Sequence, residues 1–309
     1  MIVFAVSASK INVIDSCWEL YNLTYNRRWA VNENDKPLDQ GTVVHAVHSH
    51  YYKAKMTENW FSSPEREGIV LDEATNKGRR VGVDLAISVS EIDEAIGAAR
   101  QSLIHHRQDG ITVHAVEEPF SRILYETPDR EGPNGEKIHG VRILWEGRVD
   151  LVATLPNNPL AVWDHKSESR KTNPSELDNQ FEGSAWAFDV DDIVVNKVGF
   201  QTSLKDEEKF RRIFLNYRSK AIIEEWRVDV IKSVLATIER HKREAAGHPD
   251  WPRNRTSCNK FSGCRFKPVC KAIPAVREVK LQTWYHIRPQ HELLDKDQQQ
   301  THVTGVEPE

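Results

Sequence analysis

Gly147-Arg148-Val149-Asp150-Leu151-Val152 and, after a turn, Val162-Trp163-Asp164-His165-Lys166-Ser167 are the two stretches on which the reading of this chain turns. Both are too apolar for exposed edge strands. Pro156-Asn157-Asn158-Pro159 between them is a turn signal. Residues 141–155 and 160–165 therefore read as a hairpin that buries two carboxylates side by side. Such a pair is costly unless a cation joins it. A divalent metal is the cation that also acidifies water and offsets charge on an attacked phosphate. Side chains alternate along a strand, so Lys166 shares a face with Asp164. Its ammonium is placed to orient or deprotonate water, or to stabilise a charged transition state. Register sets a condition. Pairing Leu155 with Leu160 would put Asp150 opposite His165, on the wrong face. A shared site needs a loop of odd length or a bulge. The plain alternative is a hairpin with an ordinary aspartate–Lys166 ion pair.

Working outward, residues 111–116 and 120–125 read as two strands, and Glu118, just ahead of the second, stays unassigned. Residues 90–107 form a helix with Ile92, Ala95, Ile96 and Ala99 at helical spacing. Another helix starts near Gly41 and carries Val44, His45 and Val47, after a polar loop over 32–40. Ser7 or Ser9 caps a first helix running through Ile14, Trp18 and Tyr21 to about Trp29. On the C-terminal side, Pro174 or Ser175 opens a helix through Trp186. Strands follow at 193–201 and 209–217. A long helix over 221–246 carries Ile222, Trp226, Val230, Val234 and Ile238 on one stripe. Residues 247–273 are rich in Cys, Pro and Gly, and the end of the chain is polar. The expected fold is α/β, a mixed central sheet flanked by helices. It forms one domain over 1–280, with a core at 41–220 and a polar tail at 281–309. No GxxxxGK[ST] motif is present, so no P-loop motor is expected.

The composition, 39% hydrophobic and 28% charged over 309 residues, is that of a globular protein. The net charge of −4 hides an asymmetry: residues 197–280 hold 20 Lys/Arg against 10 Asp/Glu. A basic segment meets phosphates while an acidic cluster holds cations; the bland reading is a solvated helical surface. Arg211, Arg212, Arg218, Lys220, Arg240, Lys242, Arg243, Arg253 and Arg255 are the phosphate-contact candidates. Trp251 or Trp284 could stack on an unpaired base. No apolar run reaches a membrane span, and MIVFAVSASK is a poor signal peptide. The expected location is cytoplasmic, with no membrane partner. The four cysteines are then free or metal-bound rather than disulfide-bonded.

The ordered series His45, Asp150, Asp164-x-Lys166, Gln180 resembles the RecB-like branch of the PD-(D/E)XK nucleases over residues ~7–272. The resemblance implies a restriction-endonuclease-like core. It makes His45, Asp150 and Asp164 ligands of Mg2+ or Mn2+, together with the backbone carbonyl of His165. It makes Asp150, Asp164 and Lys166 the catalytic residues, and puts Gln180 on a helix that contacts DNA. An imidazole ligand suits Mn2+ better than Mg2+. Cys17 on the first helix and Cys258, Cys264 and Cys270, spaced C-x5-C-x5-C, fit either an iron–sulfur cluster or zinc. The closely spaced cysteine pairs usual in structural zinc sites are absent. The run from Cys264 to Cys270 resembles the iron–sulfur nucleases, AddB-type and CRISPR-adaptation exonucleases. By that resemblance the four cysteines hold a [4Fe-4S] cluster, a staple built from residues 1–30 and 247–275. The implied function is a metal-dependent DNA nuclease, an exonuclease in DNA processing, recombination or repair. It would bind DNA without sequence preference, in a bacterial or phage-infected cell, with a helicase or recombination partner. The alternative is a catalytically silent DNA-binding or scaffold protein with a four-cysteine metal staple.

Overall fold

The computed structural model describes residues 1–31, 36–57, 63–168, 173–201, 203–217, 219–259 and 263–289, without the side chains of 36–38. In chain order the elements are β1 (Ile2–Val6), α1 (Ala8–Ser16), α2 (Trp18–Tyr21), a π-helical turn (Asn22–Asn26), β2 (Trp29–Val31), α3 (Lys36–Thr57), α4 (Pro64–Asp84), α5 (Val89–His105) and β3 (Thr112–Glu126). A small hairpin of β4 (Arg130–Glu131) and β5 (Lys137–Ile138) precedes β6 (Val141–Thr154), β7 (Ala161–Glu168), α6 (Asn179–Phe188), β8 (Asp192–Gly199), α7 (Asp206–Lys209) and β9 (Arg212–Asn216). Then come α8 (Lys220–Ala245), a 3-10 turn (Arg255–Asn259), α9 (Lys267–Lys271), α10 (Pro274–Trp284) and β10 (Tyr285–Ile287). The architecture is mixed α/β, with a central mixed sheet and flanking helices. The chain divides into two compact units, one of residues 34–118 and 148–220, the other of 1–33, 119–147 and 221–309.

The first of these units carries the hairpin. Leu151 pairs with Trp163, Val152 with Val162 and Ala153 with Ala161, antiparallel. The connection, residues 154–160, is odd in length. One more step of the same register sets Asp150 opposite Asp164, on a common face. Asn157 takes a left-handed φ of 65° to close the turn. β8 runs parallel to β7 and antiparallel to β9. The core packs Val43, Val44 and Val47 of α3, Ala74 of α4 and Ile92, Ala95, Ile96 and Ala99 of α5 against Leu151, Trp163 and Val194 of the sheet. Gly82 lets α4 come close to α5: a Cβ there would sit 2.5 Å from Cγ1 of Ile92. Ser88 opens α5 with a reciprocal capping box to Glu91.

Several expectations need correction here. α3 starts at Lys36, so 36–40 is helical rather than loop, and 32–35 lies outside the described residues. α4 was not foreseen at all. The two strands expected at 111–116 and 120–125 are one strand, bent where Glu117 takes φ 56°. α6 starts at Asn179, not near 174, because Asp178 supplies the cap: its Oδ1 accepts from the Gln180 N–H at 2.9 Å.

In the other unit β1 runs parallel to the first half of β6, Ile2 opposite Val141 through Val6 opposite Trp145. The apolar N-terminus is thus a strand, which the sequence reading missed. Ser7 caps α1. The helix expected to reach Trp29 stops at Cys17, whose backbone is extended, and resumes as α2. Trp145 of β6 meets Trp226 of α8 edge-to-face, 5.1 Å between centroids. The buried stripe of α8 begins at Ile223; Ile222, expected inside, is exposed. Leu281 and Tyr285, expected in a polar tail, are buried with Leu23, Trp29, Phe266 and Val269. β10 pairs with β2, and residues 290–309 lie outside the described residues.

Candidate functional site

His45 of α3 and Asp150 of β6 come together, whereas Asp164 of β7 falls outside their cluster of ligand atoms. His45 Nδ1 is 3.3 Å from Asp150 Oδ1. The other oxygen of Asp150 accepts the backbone N–H of His165 at 2.6 Å. Lys166 Nζ donates to Asp164 Oδ1 at 3.0 Å and to Gln180 Oε1 at 2.9 Å. Gln180 Nε2 donates to the same Asp164 oxygen at 2.5 Å. The second oxygen, Oδ2, is buried without a hydrogen-bond partner. A buried carboxylate oxygen left bare is costly, and a cation is the group that would complete it.

A third acid, missed by sequence reading, lies beside His45 and Asp150. Donor atoms of His45, Glu117 and Asp150 lie within 4.8 Å of one another, and no other group of three or more such residues converges as closely among the described residues. Glu117 Oε2 is held by Arg148 Nε at 2.8 Å. Glu118, its neighbour, is exposed. The left-handed φ of Glu117 turns it inward, at a strain of about 1–2 kcal/mol for an L-residue.

The charged groups of the site shift one another. Burial opposes the His45 imidazolium, yet Asp150, Asp164 and Glu117 together hold its pKa up at about 9. Burial alone would raise Asp150, but His45 and the His165 N–H keep it well below the carboxylate range. Asp164 is raised by burial and by Asp150, against the pull of Lys166. Glu117 is raised by burial and by Asp150, against Arg148. For Lys166 burial works against the ammonium, but Asp164 and Asp150 hold its pKa above the usual value. Beneath the site His165 packs between aromatic groups: His48 lies 4.6 Å away edge-on, and Tyr52 stacks in parallel at 5.6 Å. Burial keeps His48 and His165 neutral, the latter near about 3. His48 is therefore a packing residue and His45 the one that faces the acids.

In the other unit the four thiols are free and half-buried. The backbone N–H of Asn254 donates to Cys17 Sγ at 3.3 Å, its side-chain amide to Ser16 O at 3.0 Å, and the Cys258 thiol to Asn254 O at 3.8 Å. Burial raises Cys270 to about 11 and Cys264 as well, and each is raised further by charge on Cys17. Among the described residues no three of these sulfurs lie within 4.8 Å of one another.

The basic candidates fare differently. Arg211 pairs with Glu168 and Arg212 with Asp109, both pairs partly buried. Lys220 pairs with Asp189 and Asp191, Arg240 and Arg243 with Asp250, and Lys242 with Glu239. Arg253 donates to Cys270 O, and Arg218 lies outside the described residues. Trp251 packs with Tyr21 and His241; Trp284 is exposed under Lys280. Among the described residues no helix is long and apolar enough to cross a membrane.

No curated protein matches the chain. Among solved structures, one titled "Crystal structure of SSO0001" is similar at a TM-score of 0.26 and 13% identity, over 62% of this chain and 74% of that one. The family profile of the PD-(D/E)XK nuclease superfamily matches residues 5–271. That span takes in the hairpin, His45, Gln180 and all four cysteines, and the chain belongs to the PD-(D/E)XK nuclease superfamily.

Proposed function

We propose that the chain is a divalent-metal-dependent deoxyribonuclease of the RecB-like branch, cutting DNA from its ends. The observation that carries this is the bare, buried Oδ2 of Asp164, whose other oxygen holds Lys166, with His45 3.3 Å from Asp150 on the neighbouring strand. His45, Asp150, Asp164 and the His165 carbonyl would hold Mg2+ or Mn2+. A cation there supplies an acidified water and offsets charge on the attacked phosphate. Lys166 is kept as an ammonium by Asp164, so it donates to the water or to the phosphate oxygens rather than accepting a proton. Gln180 holds both Lys166 and Asp164 in place; its part in DNA contact rests on the resemblance alone.

The four cysteines are read as ligands of a [4Fe-4S] cluster. The group would link residue 17 to the loop at 258–270 and restrict the unfolded chain. Colour separates the metals: thiolate-to-iron charge transfer absorbs near ~400 nm and zinc does not.

The test uses end-labelled single- and double-stranded DNA with Mg2+ or Mn2+. Wild type should release label, while Asp164→Ala and Lys166→Ala should not. Equal activity in all three would refute the assignment. Tight DNA binding without cleavage under either metal would favour a silent scaffold.

A further inference from the structure

Glu117 is the residue whose geometry the ligand set above does not account for. It is a glutamate, not a glycine or asparagine, at a left-handed φ of 56° in the middle of β3. The conformation turns its carboxylate toward His45 and Asp150, within 4.8 Å of their donor atoms. Local backbone preference alone therefore disfavours this placement. One oxygen, Oε2, is engaged by Arg148 Nε at 2.8 Å. Arg148 stands two residues before Asp150 on β6, so the two share a strand face.

We propose that Glu117 is a further ligand of the divalent cation and that Arg148 is its positioning residue. Arg148 occupies one carboxylate oxygen and so turns the other toward the ion. The ligand set then becomes an imidazole with three carboxylates and a carbonyl, an oxygen-rich donor set suited to Mn2+ or Mg2+. The inference rests on the metal-site reading above and adds to it one ligand and the group that aims it.

The rival account is an ion pair that only holds β3 to β6. The two differ in sign. A guanidinium that merely contributed charge would repel a nearby cation, and its removal would tighten metal binding. A guanidinium that aims a ligand weakens binding when removed, by ~10–100-fold for an outer partner of this kind.

The experiment is calorimetric titration of Mn2+ into the full chain, with metal-free melting temperatures measured alongside. Asp150→Asn tests the parent reading: loss of Mn2+ binding supports it, and unchanged binding overturns it and this inference together. Given that loss, Glu117→Gln should weaken Mn2+ binding at least about tenfold, as removal of a ligand requires. Arg148→Gln should weaken it too, and Glu117→Gln/Arg148→Gln should be no weaker than Glu117→Gln alone. Glu117→Gly should melt no lower than wild type without metal, because glycine accepts the φ. Wild-type Mn2+ affinity in Glu117→Gln, or tighter binding in Arg148→Gln, would overturn the inference and leave the parent reading standing. A lower metal-free melting temperature in Glu117→Gly would speak for the purely structural pair.

Discussion

Asp164 divides its two oxygens between two tasks. Oδ1 collects Lys166 and Gln180, while Oδ2 is buried without a hydrogen-bond partner and is the atom proposed for the cation. Lys166→Ala should therefore lower kcat by ~10²–10³, as loss of one transition-state donor does, while Mn2+ still binds. Rates from single-turnover cleavage and affinity from titration check the two halves separately, and loss of Mn2+ binding would mean that Lys166 organises the site rather than the reaction. A second residue-scale prediction concerns Glu182 on α6, buried, with its pKa raised to about 7 by burial and by Asp178. The fold favours the protonated acid. The stability this contributes is fully present below the unfolded pKa near 4.5 and is lost as pH rises through about 7. Glu182→Gln should flatten that slope and stabilise the protein at pH 8 by about 1–3 kcal/mol. Urea melts at pH 5 and pH 8 read it; a parallel slope in both proteins would contradict it. At this scale the inward placing of Asp150 and Asp164 was legible in the sequence, because apolar neighbours force two acids inside. Glu117 was not. Val116-Glu117-Glu118-Pro119 offers two acids, and which turns inward hangs on a single dihedral that alternation does not encode.

Elements were legible where one face repeats. α5 shows Ile92, Ala95, Ile96 and Ala99 with a capping box, and α8 shows its stripe within one residue. β1 is five residues long, too short for its period to show, and it becomes a strand by pairing with β6, about 140 residues away. α1 ends at Cys17 although the periodicity runs on, because the break comes from tertiary contacts: Asn254 bonds both Ser16 O and Cys17 Sγ. α4 escaped notice because its buried face includes Gly78 and Gly82, which carry no hydrophobic signal. That face yields a prediction of sign. Glycine to alanine inside an exposed helix stabilises by ~1 kcal/mol. Gly82→Ala should instead destabilise by about 1–3 kcal/mol, because its Cβ would meet three carbons of β-branched Ile92 at 2.5–3.2 Å. Chemical denaturation measures it, and a stabilised variant would show that α4 and α5 can part without cost.

On the scale of the whole molecule, the candidate metal site falls within one compact unit and the four cysteines within the other. Stability and chemistry should then separate by mutation. Cys17→Ser should abolish absorbance near ~400 nm and lower the melting temperature, while Mn2+ still binds. A colourless wild type containing zinc would replace the cluster with a mononuclear site. The family could be inferred from sequence because His45, Asp150, Asp164 and Lys166 follow one another in the family's order. The division into units could not, because β3 and β6 each run from one into the other.

The account depends most on His45, Asp150 and Asp164 meeting at one ion. Electron–nuclear double resonance on the Mn2+-loaded protein reads that directly. We predict a nitrogen coupling from one directly bound imidazole that vanishes in His45→Gln. Bound Mn2+ with no nitrogen coupling, or a coupling unchanged in that variant, would contradict it.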